Sequence, residues 1–332
     1  MANQVTYDVE RKIVAILQVL KDSPEPVGAS LIARKLKDSG IDINERTIRG
    51  HLRILDERGL TRLVSRRQGR QVTQSGLHEL GNALVGDRLG STVTRIEMLI
   101  CQTSFEPEKR TGEVPVNISF FPADSFERAL DVMTGICRAG VCGSELASIA
   151  RAGEKLGNVK VPPGKVGVAT LSNIAVSAVL IRAGIPLDFR FGGLLQVRNR
   201  DYVRFVDLIE YTGSSINPYE VFIASKMTAV NDISRTGEGK ILAGFSELPA
   251  LARPRVETLI KVLEAMGINS VVKLGRVSER LCETTVASGK FGMVLTDGLN
   301  LPAAVAETGI EVENHAGHSI MDFTQMRPLS KN

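Results

Sequence analysis

An α+β architecture, an N-terminal winged helix-turn-helix followed by a mixed α/β domain of two similar halves, is what the sequence predicts for this 332-residue chain. Three observations carry the expectation. The first eighty residues read as three short helices and a basic hairpin. The excess positive charge is confined to them: residues 1–81 hold 14 Lys+Arg against 10 Asp+Glu, and the remainder holds 27 of each. Finally, GKVGVATLSN at 164–173 returns in altered form as GKFGMVLTDG at 289–298.

Length and composition fix the class. A chain of this size exceeds one ordinary compact domain. Hydrophobic residues at 43% and charged residues at 23% suit a soluble globular protein. No apolar run is long enough to span a bilayer, and MANQVTYDVERK has no signal-peptide core, so the expected compartment is the cytoplasm. Cys101, Cys137, Cys142 and Cys282 are too few and too scattered for a disulfide framework and are expected as reduced thiols. A basic module on a neutral body points to a polyanionic partner.

The N-terminal elements follow in order. Val9, Ile13, Ile16, Leu17 and Leu20 mark one helical face. DSPEPVG ends that helix, and a short second helix carries Leu31, Ile32 and Leu36. The third begins at Asn44, a good N-cap, with Ile43 placed to staple onto Ile48. Ile48, Leu52 and Leu55 form its buried stripe, and Gly59 suits its C-terminal stop. Its other face carries Arg46, Thr47, Arg49 and Arg53, with the three arginines spaced i, i+3, i+7. Leu60–Val64 and Gln71–Thr73 read as strands around a tip with Arg66, Arg67 and Arg70. Arginines on a helix are commonly only a solvated face. The order helix–helix–capped helix–basic hairpin turns the reading toward a winged helix on double-stranded DNA, the third helix in the major groove and the wing on phosphate. His51 and His78 read as packing or surface residues.

Residues 82–95 read as connector between a 1–81 domain and a 96–330 domain, whose halves run approximately 96–235 and 236–330. Residues 112–141 and 239–272 share a plan of strand, Pro break and Gly-terminated helix. Aligning 164–185 with 289–310 at an offset of 125 needs no gap and gives six identities in 22 positions. Each half is expected as strand–helix–strand–helix–strand, the two related by a pseudo-two-fold axis with a ligand cleft between them. TGSSINPYEVF (212–222) reads as a loop entering a strand, and 228–239 as a connector.

In each copy a strand runs into a turn and a helix whose free N–H groups suit a carboxylate or phosphate. Candidate contacts are Thr170, Ser172, Asn173, Arg190, Thr296, Asp297, Asn300, His315 and His318. Ser172 and Asp297 also read simply as helix caps, and a carboxylate at 297 repels an anion. Arg190 stands among apolar residues and needs an anionic partner. HxxH at 315–318 lacks a third ligand at definable spacing, so no metal is expected. GKV and GKI lack the remainder of a P-loop, and no GxSxG occurs. The reading is therefore not enzymatic and needs no cofactor. Its rival is a small-metabolite enzyme using HAGHS as acid and base, with the winged helix autoregulatory.

GKVGV, FGGLLQV, TGSSINPYEVF, GEGKILAGFSELP and GKFGMVLTDGLNLPAAV after a winged helix resemble the NrpR family of nitrogen-regulatory repressors, over nearly the whole chain. The resemblance implies a dimeric repressor of nitrogen-assimilation genes. Its regulatory domain would bind the dicarboxylate 2-oxoglutarate as effector and thereby lower DNA affinity. One winged helix per chain then implies a homodimer on an inverted-repeat operator.

Overall fold

The computed structural model describes residues 2–23, 25–38, 40–65, 67–82 and 91–331. The chain divides into two compact units, Met1–Leu89 and Gly90–Asn332.

The first unit is a winged helix. It comprises α1 (Ala2–Lys21), α2 (Ala29–Asp38), α3 (Glu45–Glu57), the hairpin β1 (Thr61–Ser65) and β2 (Gly69–Val72), and α4 (Gln74–Asn82). Asn44 caps α3 by accepting from the Thr47 N–H at 2.8 Å. At the other end Gly59 takes φ +71°, and Leu60 N–H reaches back to Leu55 O at 2.9 Å, which closes the last turn. Ile48, Leu52 and Leu55 are fully buried against Ile16, Leu17 and Ile32. Each such side chain contributes about 1.5–3 kcal/mol. His51 is buried with them, and burial, then Lys12, holds its imidazole below the ordinary histidine value.

The second unit opens with α5 (Ser91–Gln102), so residues 91–95, read as connector, are helical; residues 83–90 lie outside the described residues. β3 (Glu113–Pro122), α6 (Phe126–Arg138), β4 (Leu146–Arg151), the small ladder of β5 (Lys155–Leu156) and β6 (Val159–Lys160), β7 (Lys165–Leu171), α7 (Ile174–Arg182) and β8 (Asp188–Arg198) follow. Then come β9 (Asp201–Glu210), α8 (Pro218–Ala224) and α9 (Val230–Thr236). The plan returns as β10 (Gly239–Pro249), α10 (Arg253–Glu264), β11 (Val271–Leu274), β12 (Lys290–Thr296), α11 (Asn300–Glu307) and β13 (Glu313–Asp322), with β14 (Arg327–Pro328) at the end.

Two antiparallel five-stranded sheets form, ordered β11-β12-β10-β8-β9 and β13-β3-β7-β4-β14. The last strand of each repeat lies in the sheet of the other: β8 pairs with β10, and β13 pairs with β3. Helices cross over in the same way, α6 packing on α11 and α7 on α10. Each of the two large cores is consequently built from both repeats.

Two local readings are corrected. TGSSINPYEVF enters a helix, not a strand: Asn217 accepts from the Tyr219 N–H at 2.9 Å, and Pro218 occupies the first helical position, where its missing N–H costs nothing. The connector at 228–239 contains α9, anchored by Glu307, whose carboxylate accepts from the N–H groups of Val230 and Asn231 at 2.8 and 2.9 Å.

Candidate functional site

On the winged helix, Arg46, Arg49 and Arg53 are exposed on α3 opposite its buried stripe. Arg49 donates to Glu45 at 2.5 Å and Arg53 to Glu57 at 3.0 Å. Exposed i,i+4 pairs of this kind are worth about 0.3–0.5 kcal/mol, so a phosphate or base edge can displace either carboxylate. Thr47 is occupied by the cap, its hydroxyl donating to Asn44 Oδ1 at 2.9 Å. Arg67 is exposed at the wing, and Arg66 lies outside the described residues.

Arg70 differs from the others. It is half-buried and donates to Asp56 at 2.7 Å, whose second oxygen accepts from the Thr61 hydroxyl at 2.6 Å. That ion pair ties the wing to the end of α3. Arg70 also pairs through its backbone with Val27, N to O at 3.0 Å and O to N at 2.9 Å. Gly69 beside it takes φ +104°, and a Cβ there would run into the Val27 backbone. Neither Asp56 nor Val27 was singled out from sequence, because both act through long-range pairing.

In the second unit, the turns that end β7 and β12 meet. Asp297 lies at their contact and is 1% exposed. One oxygen accepts from Leu299 N–H at 2.9 Å and from Asn117 Nδ2 at 2.8 Å; the other accepts from Asn173 N–H at 3.0 Å. Leu299 and Asn173 are the residues leading into α11 and α7, so the carboxylate serves the N-termini of both repeated helices at once. Burial pushes its pKa up to about 6, against the pull of the Asn173, Leu299, Asn117 and Ser172 donors. A Cβ at Gly298 would strike Leu171 O and the Thr170 side chain, which is how closely the two turns press together.

The network extends both ways. Asn117 Oδ1 accepts from Gly317 N–H at 2.8 Å, so the HAGHS segment reaches the joint through its backbone. On the other side Asn173 Nδ2 donates to Tyr219 Oη at 3.0 Å, and Tyr219 and Tyr211 share a hydrogen bond at 3.2 Å. Burial pushes both phenols well up. Asn300 holds the Leu242 backbone from both sides, at 2.8 and 2.9 Å. The Thr296 hydroxyl donates to Ser270 O at 3.4 Å, and Thr170 receives Asn117 Nδ2 at 3.4 Å. Thus Thr170, Ser172, Asn173, Thr296, Asp297 and Asn300 lie on the two meeting turns and their adjoining helix start. Asn117, Tyr211 and Tyr219 complete the network without having carried a sequence signal.

Arg190 and His315 lie at equivalent places elsewhere. Arg190 is partly exposed and donates to the fully buried Glu247 at 3.1 Å. Lys290 joins it, 2.9 Å from Asp188 and 3.4 Å from Glu247. At the offset of 125 the equivalents of Lys290, Asp188 and Arg190 are Lys165, Glu313 and His315, and these cluster too: Glu313 meets Lys165 at 2.6 Å and His315 at 3.0 Å. Lys165 first, and the His315 ring after it, hold the Glu313 carboxyl below the usual range. The exposed His318 ring lies 4.8 Å from that of His315. Among the described residues no group of three or more His, Cys, Asp or Glu is placed to hold a metal.

A cavity of about 340 Å³ opens beside the joint. The last turn of α6 lines it with Cys137 and the loop that follows with Cys142 and Glu145, facing Tyr202, Asn269 and Thr296. Its polar lining is neutral or acidic. By charge alone it is poorly matched to a dianion, in contrast to the helix N-termini that Asp297 now occupies.

Comparison with known proteins places this geometry among regulators. A family model described as NrpR regulatory domains NRD1 and 2 matches residues 89–328, and a Ribonuclease R winged-helix domain model matches residues 14–80. The chain is 38% identical to the global nitrogen regulator NrpRI of Methanosarcina mazei, over 97% of its own length and 98% of the relative's. It is 30% and 31% identical to global nitrogen regulators NrpR of Methanococcus maripaludis and Methanocaldococcus jannaschii, spanning 55% and 57% of those longer proteins. A crystal structure of a nitrogen repressor-like protein from Methanococcus jannaschii superposes with TM-score 0.60 at 22% identity, covering 72% of this chain and 98% of that one, which is a likeness of fold.

Proposed function

The chain belongs to the NrpR family of nitrogen regulators, and from that premise we propose that it represses nitrogen-assimilation genes as a cytoplasmic homodimer and is released from DNA by 2-oxoglutarate. The observation that carries this reading is the near full-length match to a global nitrogen regulator. Two winged helices, one per protomer, would read an inverted repeat with α3 of each in the major groove. Arg46, Arg49 and Arg53 supply the cationic face, and Arg66 and Arg67 the wing's phosphate contacts. Arg70 acts indirectly, by holding the wing on Asp56.

The effector reading rests on the joint. Two helix N-termini converge there, and an internal carboxylate already exploits them. A ligand carboxylate would compete with Asp297 for the Asn173 and Leu299 N–H groups and the Asn117 amide. Thr170, Ser172, Thr296 and Asn300 surround that exchange. Arg190, His315 and His318, farther along β8 and β13, would respond through those strands. To act as a switch, the ligand must favour the non-DNA geometry by the typical 1–3 kcal/mol of coupling, roughly 5- to 150-fold in affinity.

The test is binding of the full chain to duplex DNA at graded salt, with and without 2-oxoglutarate. Arg49→Ala with Arg53→Ala should weaken binding and flatten its salt dependence. Unchanged binding would place the DNA face elsewhere. 2-Oxoglutarate should raise Tm and weaken DNA binding, where succinate and malate do neither; no response to it would remove the effector reading.

A further inference from the structure

We propose that Cys137 and Cys142 form an oxidisable dithiol site that a small hydroperoxide, entering the adjoining cavity, converts to a disulfide. The inference stands apart from the DNA reading and uses residues that reading leaves idle.

Local geometry brings both cysteines to the wall of one cavity. α6 ends in a tight reversal: Gly140 takes φ +70°, its N–H bonds to Cys137 O at 2.9 Å, and Val141 N–H reaches back to Ile136 O at 3.3 Å. Residue 142 is therefore carried back alongside the last helical turn. The two thiols act on each other across this turn: Cys137 holds the Cys142 thiol below the ordinary cysteine value, and Cys142, with burial, pushes Cys137 up. Both line the 340 Å³ cavity, which is large enough to admit a peroxide. Cys101 is exposed and Cys282 buried, and neither borders that cavity.

The chemistry closes with one co-reactant. The Cys142 thiolate attacks a hydroperoxide oxygen, breaks the O–O bond and becomes a sulfenic acid, releasing hydroxide, or alkoxide from an organic peroxide. The Cys137 sulfur then attacks the sulfenic sulfur, the S–O bond breaks and the hydroxyl leaves as water. With hydrogen peroxide, two thiols are oxidised, and the peroxide is reduced to two waters.

The consequence lies at the joint. The same loop holds the second repeat: Asn269 N–H bonds to Gly143 O at 2.6 Å and the Ser144 hydroxyl to Gly267 O at 2.9 Å. Gly143 also abuts the Thr296 hydroxyl, and a Cβ there would collide with it. A disulfide would fix the loop at the place where it grips the neighbour of Asp297.

The test is hydrogen peroxide treatment of the full chain, alkylation of remaining thiols, and trypsin digestion without reductant. Cleavage after Arg128, Arg138 and Arg151 puts the two cysteines on separate peptides, 129–138 and 139–151. The expected result is recovery of these peptides as one disulfide-linked species, from protein that runs as a single chain on a non-reducing denaturing gel. Cys137→Ser should instead yield a sulfenic acid on Cys142 that dimedone traps, and Cys142→Ser should leave Cys137 unmodified. Recovery of both wild-type peptides alkylated and unlinked while Cys101 is oxidised would overturn the proposal. So would oxygen added to Cys142 without the link. The wild-type measurement decides the matter even if a serine variant fails to fold.

Discussion

The two turns that meet at the centre of the regulatory unit occupy equivalent positions and do opposite work. Ser172-Asn173 offers the Asn173 N–H; Asp297-Gly298 supplies the carboxylate that takes it. A strictly symmetric pair would fail either way. Two carboxylates would repel in a buried site, and two hydroxyl turns would leave helix N-termini without a strong acceptor. Duplication thus supplied the scaffold, and divergence at two residues in each turn made the halves complementary. The strand starts tell a milder version of the same story. Lys165 forms an exposed pair, whereas its equivalent Lys290 serves a carboxylate that is 1% exposed.

The largest expected effect comes from forcing the turns to match. Ser172→Asp would bury a second carboxylate against Asp297, and the unit should lose about 3–5 kcal/mol, read as a lowered denaturation midpoint. A near-neutral result would mean that the turns do not meet as described. Asp297→Asn should cost less, about 1–3 kcal/mol, since an amide nitrogen would then face one of the three donors. Its pH signature is sharper. The folded-state pKa is raised from 3.8 to about 6, so the folded protein holds this proton more tightly than the unfolded chain. The stabilising contribution is complete below pH 3.8 and is lost as pH rises through 6. It amounts to about 3 kcal/mol at most. The stability difference between wild type and Asp297→Asn should therefore change between pH 4 and 6 and flatten above; a constant difference would contradict the buried, raised carboxylate. Smallest is the contrast of lysines: about 1–3 kcal/mol for Lys290→Ala, which strips a cation from the buried Glu247, and about 0.2–1 kcal/mol for Lys165→Ala at the surface. Equal melting shifts in the two variants would remove the asymmetry.

What could be read along the chain was local. The Asn44 cap, the Ile48–Leu52–Leu55 stripe and the Gly59 stop sit in a window of sixteen residues and fold as their spacing dictates. The repeat offset of 125 was legible because strand and helix periodicities survive divergence. α8 was misread because Asn217-Pro218 signals a turn and a helix start alike, and the helix that follows is too short for periodicity to decide. Among the site residues, Thr170 and Asp297 drew notice through the repeat. Asn117, Tyr219 and Glu247 did not, since each gains its role from a partner far along the chain.

By itself, then, the sequence determined a basic winged helix and a twice-repeated set of strands and helices, because caps, turns and apolar periodicity are properties of neighbouring residues. Only the tertiary structure decided that β8 and β13 exchange sheets, and that Asp297 answers Asn117 and Asn173, 180 and 124 positions away. Strand pairing and the satisfaction of a buried charge are settled by whichever groups the folded core brings within hydrogen-bonding distance, and the linear order of residues does not encode that distance.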